Sequence, residues 1–139
     1  MYLVNPTGRK IRNDSRGAGY YGVRRTKTVD GHQIEYRHDG TDYEAEVGQE
    51  VVMPFTALVE REAKPCVGYS GVYLVGRRCK AKLFYVQPDP CLIGTTVNIG
   101  HRVGVAQDIS RKYPGVTPHV HLRITSLDPE LIISDTPVY

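Results

Sequence analysis

The amino-acid sequence predicts an all-β fold, an antiparallel β-sandwich or half-barrel. Tyrosine, valine, isoleucine and threonine are plentiful, while 14 glycines and 9 prolines break the chain at short intervals. No long stretch has the apolar spacing of an amphipathic helix. Many short strands between frequent turns are typical of such folds. At 139 residues the chain is long enough for one domain with its own core, and we expect residues 1–139 to form that single domain.

The first half of the chain contains two regions that indicate strands. Residues 11–37 are polar and glycine-rich, which indicates one or two strands joined by an excursion around "VDGHQ". The following run "VVMPFTALVERE" (51–62) predicts one bent strand at a sheet margin. The bend is expected because Pro54 has no backbone N–H for a central sheet ladder.

The second half indicates a hairpin and further strands. Residues 70–88 alternate apolar and polar positions on both sides of Gly76, which indicates a hairpin. Residues 91–109 indicate two short strands around "NIGHR", and "HVHLRITSL" (119–127) indicates the last strand. A short helical turn is expected at 129–133, where a proline can occupy the first turn.

Composition excludes some classes of protein and leaves others open. No run approaches the ~20 apolar residues of a membrane span, so we expect no membrane partner. The net charge of +3 suits an anionic polymer such as nucleic acid or cell wall without demanding one. Because the basic residues are scattered, a solvated surface is favoured over a dedicated patch for nucleic acid. We therefore expect no specific nucleic-acid partner.

The N-terminal sequence and the cysteines indicate in which cellular compartment the protein is expected. The start has no basic region followed by an apolar run, so no secretory signal is expected. This fits a protein kept in a cytoplasm until lysis releases it. The three cysteines, Cys66, Cys79 and Cys91, are irregularly spaced and exclude a full disulfide framework. Buried or half-buried thiols are favoured, and a single bridge between two of them stays open.

Two histidines lie on one side of the last predicted strand. Side chains alternate between the faces of a strand, so His119 and His121 point the same way and Val120 points the other way. Such a pair can converge on a metal ion or a substrate atom. The alternative is that both are hydrogen-bonded polar residues on a solvated face, and this spacing alone favours that alternative.

A second histidine motif favours a metal site over hydrogen-bonded histidines on a solvated face. His38 and Asp42 are four residues apart with Gly40 between them. A loop that turns at Gly40 can bring the imidazole and the carboxylate onto one ion. Two nitrogens and a carboxylate oxygen, with a fourth position left for water, form the open coordination sphere of a catalytic zinc site. Together with the H-x-H pair, the motif therefore indicates metal-assisted amide hydrolysis.

The order of the motifs resembles that of the lysostaphin-type (LytM-like) zinc endopeptidases of peptidoglycan. The resemblance covers residues 11–125 and rests on five runs: "GYYGVRR", "GHQIEYRHDGTDYEAEVGQEVVMPFTALVERE", "GVYLVG" with "KLFYVQP", "VNIGHRVGVAQ" and "HVHLRI". Three runs, "MPFTALVEREAKP", "GVYLVGRRCKAKLFYVQP" and "KYPGVTPHVHLRI", are even more similar to the leukocyte-derived chemotaxin branch, which is regarded as non-catalytic.

This resemblance implies a role for each motif residue. His38, Asp42 and His121 would hold one zinc ion per chain, and His119 would face the substrate. In the peptidases a further histidine, in a Y-x-H-[LM] segment, works with the counterpart of His119. The matching segment here reads "FYVQP", so Gln87 stands where that histidine is expected. An amide transfers no proton at neutral pH, although its NH₂ group can donate to an oxyanion.

The other two histidines fit that missing role poorly. His101 falls on a glycine turn of the family pattern and is not expected to substitute. His32 lies in the variable loop before the site, and its approach to the site stays open.

Two functions follow from the resemblance. The first is a zinc metallopeptidase that cleaves peptide cross-bridges of peptidoglycan, as a bacteriophage lysin or virion-associated protein. The alternative is a non-catalytic, zinc-stabilised module that binds a wall component or other virion proteins. An all-β protein without metal is the third and least favoured hypothesis.

The site is expected in a groove between residues 37–43 and the last strand. Its walls are expected at 68–71 and 107–118, with Tyr36, Tyr113 and Asn13 as lining residues.

Overall fold

The computed structural model describes residues 3–133, which form strands joined by turns and three short 3-10 turns. The strands are β1 (Asn13–Asp14), β2 (Gly17–Ala18), β3 (Arg24–Val29), β4 (His32–Arg37), β5 (Thr41–Glu44), β6 (Glu50–Val52), β7 (Ala57–Ala63), β8 (Gly71–Val75), β9 (Cys79–Phe84), β10 (Val86–Pro88), β11 (Thr96–Val97), β12 (Arg102–Ala106) and β13 (His119–Leu127). The 3-10 turns are Pro90–Leu92, Ile109–Arg111 and Pro129–Leu131. No helix in this part of the chain is long and apolar enough to cross a membrane.

All the sheets are antiparallel. The largest has six strands in the order β11-β7-β8-β9-β13-β5, and a second has three strands in the order β10-β12-β6. Two further pairs, β1 with β2 and β3 with β4, form separate ribbons. The sheets do not close into a barrel, and the predicted all-β class is confirmed.

The hydrophobic core combines the two larger sheets. Val59, Leu74 and Leu83 come from the six-stranded sheet and join Val51 and Val103 of the three-stranded sheet in one buried cluster. In β9 the buried positions alternate with more accessible ones, as a strand with one covered face requires. Each fully buried apolar side chain stabilises the fold by about 1.5–3 kcal/mol relative to an exposed one.

The prediction of a single bent strand at 51–62 is wrong, because this segment contains two strands. The segment divides into β6 and β7, which belong to different sheets. Pro54 cannot donate to a ladder, and its neighbours Met53 and Phe55 are fully buried. The chain therefore leaves one sheet and enters the other, with both side chains filling the core. The hairpin at 70–88 and the last strand at 119–127 are confirmed.

Two predicted features have specific outcomes. Within residues 3–133 the three cysteines are free thiols, so the bridge left open by the sequence does not form. Burial raises the pKa of the Cys79 thiol.

The excursion around "VDGHQ" is a two-residue turn between β3 and β4. There Asp30 and Gly31 both have positive φ, as this kind of hairpin turn requires. We call residues 24–37 the β3–β4 ribbon.

Candidate metal centre

Three potential metal ligands meet where β5 lies beside β13. Asp42 and His121 are directly opposite each other in the antiparallel register, and His38 follows the end of β4. The His121 Nδ1 atom lies 2.9 Å from Asp42 Oδ1, and His38 Nε2 lies 3.2 Å from His121 Nδ1. His38 Nε2 also lies 3.3 Å from Asp42 Oδ1. The three atoms thus form a nearly equilateral triangle that could hold a metal ion.

The turn at Gly40 allows this convergence. A Cβ atom at Gly40 would lie 2.4 Å from the Leu122 carbonyl oxygen and 2.7 Å from His121 Nε2. Both distances are far inside van der Waals contact, so a side chain there would push the loop away from β13. The absence of a side chain lets the backbone that carries His38 and Asp42 approach the last strand.

Outer hydrogen bonds orient both imidazoles. His38 Nδ1 lies 3.0 Å from the Tyr20 carbonyl oxygen, which only accepts, so the proton resides on Nδ1 and Nε2 is free to bind a metal. His121 Nε2 lies 3.0 Å from Asp39 Oδ1, which leaves Nδ1 as the ligand atom in the same way. Such partners fix the tautomer and the ring orientation of metal-ligating histidines.

The donor set fits a tetrahedral divalent ion. Ligand atoms about 2.0–2.2 Å from a tetrahedral zinc lie roughly 3.3–3.6 Å from one another. The three separations here, 2.9 to 3.3 Å, are within a few tenths of an ångström of that spacing. Two imidazoles with one carboxylate are also a donor combination that suits zinc. The residues present therefore fit such an ion.

Asp42 is held in its charged form. Burial opposes ionisation of this carboxyl, but its close contacts with the His121 and His38 imidazoles outweigh it, so the pKa of Asp42 is far below its usual range. Arg12, itself only 4% exposed, places Nε 3.3 Å from Asp42 Oδ2. Arg25 adds a second, more distant guanidinium at 3.8 Å. Asp42 Oδ2, the oxygen that faces away from His38 and His121, is therefore charge-paired.

His119 lies beside the ligands, at the β13 position next to the loop that precedes the strand. The ring is buried, and its Nδ1 lies 2.8 Å from the Thr117 carbonyl oxygen, so Nδ1 carries the proton. Its Nε2 is therefore an acceptor and lies 3.5 Å from Asp42 Oδ2. Burial lowers the pKa of His119, which favours the neutral ring.

Comparisons with known proteins identify the fold. No protein-family model matches the sequence, and no curated protein matches it significantly. Nine chains of solved structures do match. One of them is described as a zinc containing peptidase from Vibrio cholerae, with a TM-score of 0.60 and 19% identity. The match covers 98% of this chain and 40% of the other, so the chain spans well under half the length of that structure. This chain therefore shares its fold with that structure.

Gln87 does not lie in this candidate metal centre. It is exposed on β10, opposite Val105 in the three-stranded sheet. The side chain that packs against His119 is Tyr85, edge to face, with ring centroids 5.7 Å apart. Tyr85 is the tyrosine of the "FYVQP" segment, and nothing in the sequence pattern of that segment indicates its contact with His119.

A β-bulge at Tyr85 explains why Tyr85, and not Gln87, packs against His119. Tyr85 has a φ of 67°, and the backbone N–H groups of Tyr85 and Val86 both donate to the Ser70 carbonyl oxygen, at 2.8 and 3.2 Å. Such an extra residue shifts the alternation of side chains by one position. The bulge thus turns Tyr85 towards the site and Gln87 towards solvent.

The ligands lie in a groove of about 480 Å³. Tyr36 and Tyr113 line it as expected, and Val116 adds part of the predicted 107–118 wall. Pro65 also lines the groove, whereas the predicted wall at 68–71 and the predicted lining residue Asn13 do not. His32 and His101 are both exposed and also lie outside this lining. The lining also contains basic residues, namely Arg12, Arg16, Arg25 and Arg37.

Proposed function

We propose that this chain is a zinc metallopeptidase-type domain that hydrolyses peptide cross-bridges of peptidoglycan, with one zinc ion per chain. The observation that carries the proposal is the triangle of His38 Nε2, Asp42 Oδ1 and His121 Nδ1, with sides of 2.9 to 3.3 Å, inside an open groove. The fold shared with a zinc containing peptidase supports the same assignment.

The three ligand residues and their partners would form the metal centre. A bound zinc ion would acidify a water molecule and polarise the carbonyl of the scissile amide. Asp39 and the Tyr20 carbonyl oxygen hold the imidazoles in the required tautomers. Arg12 pairs with Oδ2 of Asp42, which leaves Oδ1 of Asp42 for the metal.

His119 is placed to move a proton. Because Nδ1–H donates to Thr117, the free Nε2 can accept a proton from a nucleophilic water and return it to the leaving amine. Its lowered pKa keeps the ring neutral and ready to accept at neutral pH. His119 therefore acts as general base and then as general acid.

Tyr85 supplies a phenol beside His119. Burial, with the neighbouring Tyr113 as a smaller contribution, raises the pKa of Tyr85, so the hydroxyl stays protonated. A protonated phenol can donate to the oxyanion that forms on the attacked carbonyl. Tyr36 and Tyr113 line the groove and would contact the substrate on either side.

The charge of the groove favours an anionic substrate. Four arginines line it against two acidic residues, Asp39 and Asp42. Asp42 is already paired with Arg12, and Asp39 Oδ2 lies 3.0 Å from Arg123 Nη1. Stem peptides of cell walls carry carboxylates that such a groove can attract.

A second function is favoured by one specific observation. The side chain packed against His119 is a tyrosine, where the peptidases that the sequence resembles have a second histidine. A phenol with a raised pKa cannot replace a histidine in proton transfer near neutral pH. The alternative proposal is therefore a non-catalytic, zinc-stabilised module that binds the same wall peptide, as part of a virion or a larger assembly. Under either proposal the biological setting is that of a bacteriophage lysin or a virion-associated protein.

Zinc content and wall hydrolysis test these proposals together. Protein purified from zinc-supplemented cells is expected to contain about one zinc per chain by elemental analysis. Purified peptidoglycan sacculi should lose turbidity and release new amino groups with the wild-type protein. The His119→Ala variant should lose this activity and keep its zinc, while His101→Ala, which changes an exposed histidine outside the groove, should keep both.

Each negative result has a distinct meaning. A metal-free protein would contradict the metallopeptidase proposal and the zinc-stabilised module alike. A zinc-loaded protein that binds sacculi without cleaving them would contradict catalysis and support the non-catalytic module.

A further inference from the structure

The β3–β4 ribbon is unusually exposed for a pair of regular strands. Of its twelve strand residues, Arg25 is half-buried and the other eleven are exposed. A two-stranded hairpin by itself is only marginally stable in water. A surface that contacts the ribbon would therefore stabilise it.

The register divides the ribbon into two different faces. Residues paired across the strands share a face, and the pairs Arg25–Tyr36, Lys27–Ile34 and Val29–His32 alternate with the remaining three. The Lys27 ammonium lies 5.1 Å from the centre of the Tyr36 ring, which agrees with this assignment. We call the side formed by these six residues the Tyr36 face.

The Tyr36 face has the pattern of a surface that is normally covered. Val29 and Ile34 are each 40% exposed and Tyr36 is 42% exposed, in strict alternation along the strands. Alternation of this kind is typical of a strand with one face packed against a partner. The opposite face is polar, and there Arg24 Nε lies 2.8 Å from Glu35 Oε1. Apolar side chains therefore lie on one side of the ribbon.

The same face is basic and continues the groove. It carries Arg25 and Lys27 and no carboxylate among its six residues. Arg25 and Tyr36 belong both to this face and to the groove lining, so the two surfaces are contiguous. From Arg25 to Val29 the strand rises about 14 Å, which is the length of a short extended peptide.

We propose that the Tyr36 face is a docking surface for an extended anionic peptide whose scissile end lies in the metal-centre groove. The proposal rests on the proposed function and makes that peptide the acidic stem peptide of the wall polymer. Carboxylates pair with Arg25 and Lys27, and apolar side chains of the peptide cover Val29, Ile34 and the Tyr36 ring.

Charge argues against a second copy of this chain as the occupant. Two Tyr36 faces in contact would bring two copies of Arg25 and Lys27 together with no carboxylate between them. Like charges opposite one another destabilise such pairing. The net charge of +3 adds to the repulsion between copies.

The test compares variants of equal charge on the two faces of the ribbon. The face variant is Lys27→Gln with Ile34→Thr, and the control is Arg24→Gln with Gln33→Thr on the opposite face. Each loses one positive charge at exposed positions, and an unchanged melting temperature verifies that both fold. Binding of the full-length, zinc-loaded proteins to purified peptidoglycan sacculi is measured by co-sedimentation at 4 °C in low and moderate salt.

We expect the face variant to raise the apparent Kd about tenfold while the control stays within about twofold of wild type. Equal binding of wild type and both variants would overturn the ribbon proposal and leave the proposed function standing. Failure of the wild type to bind sacculi would overturn both. A wild-type dimer in analytical ultracentrifugation that the face variant converts to monomer would overturn the proposal in favour of a second copy. Tighter face-dependent binding to a nucleic-acid probe than to sacculi would also overturn it.

Discussion

Asp42 and His121 are direct cross-strand partners in the antiparallel pair of β5 and β13, with Asp42 Oδ1 2.9 Å from His121 Nδ1. The backbone ladder thus fixes two of the three ligands before any metal binds. His38 joins them as the first residue of the three-residue connection between β4 and β5, residues 38–40. A rigid sheet position for two ligands and a short turn for the third is an arrangement that limits the freedom lost on metal binding.

Removal of one ligand should remove the metal and lower stability. His121→Ala is expected to abolish zinc binding, because two remaining ligands leave the ion poorly held. Metal binding draws on folding free energy, and saturating zinc at 100 times its Kd stabilises a fold by about 2.7 kcal/mol. Calorimetry should show a Tm several degrees lower for the variant, and a similar drop for wild type with chelator. An unchanged Tm on chelation would contradict an ordered metal site; His101→Ala is the control.

Gly40→Ala should weaken zinc binding through the backbone. The added methyl would meet the Leu122 carbonyl oxygen at 2.4 Å, so the turn must move away from β13. Overpacking of this kind costs about 1–3 kcal/mol, and displacement of the turn separates His38 from His121. Competition with a chromophoric chelator should show a zinc affinity at least tenfold lower.

The matched control for this substitution is Gly104→Ala in the three-stranded sheet. Its Cβ would also meet a carbonyl oxygen, that of Gln87, at 2.1 Å. It should lower Tm comparably and leave the zinc affinity of the folded protein unchanged. Equal loss of affinity in both variants would mean that general destabilisation, rather than the geometry of the turn, is responsible.

Tyr85→His should raise hydrolytic activity more than Gln87→His does. The bulge directs residue 85 towards His119 and residue 87 towards solvent, so only a histidine at 85 can share a proton with the site. Histidine also tolerates the positive φ of this position better than most residues. Restoration of a general acid or base is worth roughly 10²–10⁴-fold in rate. Amino-group release from sacculi measures it, and a larger gain from Gln87→His would contradict the assignment.

Asp14 should stabilise the fold in a pH-dependent way. Burial opposes its ionisation, but hydrogen bonds from the backbone of Thr117 and Arg16 and from Arg12 lower its pKa from 3.8 to about 2. A depressed pKa gives stability that is complete above the unfolded value near 4 and is lost as the pH falls towards 2. Denaturant unfolding should therefore separate wild type from Asp14→Asn at pH 6 and bring them together at low pH. A constant difference would show that charge is not the cause.

Local patterns in the sequence determined much of the fold. Alternating side chains around Gly76 predicted the β8–β9 hairpin, and the run "HVHLRITSL" (119–127) predicted β13 with its bounds. Both signals are local, because the period of two and the turn residues are written in neighbouring positions. Pro54 indicated an interruption of the strand at 51–62. The local sequence did not distinguish a bend within one strand from a passage between two sheets. That choice depends on the core that Met53 and Phe55 fill from distant strands.

The candidate site shows the same division. Spacing brought forward His38, Asp42 and the pair His119 and His121 as possible ligands, because donor chemistry and strand alternation are local properties. The resemblance to the peptidase family then selected His121 from that pair. Tertiary structure decided two further features of the site. A single bulge at Tyr85 places Tyr85, and not Gln87, against His119. Arg12 contacts Asp42, which is thirty residues away in the sequence. No local pattern encodes a one-residue shift in register, since it results from the donation of two successive N–H groups, those of Tyr85 and Val86, to the carbonyl oxygen of Ser70.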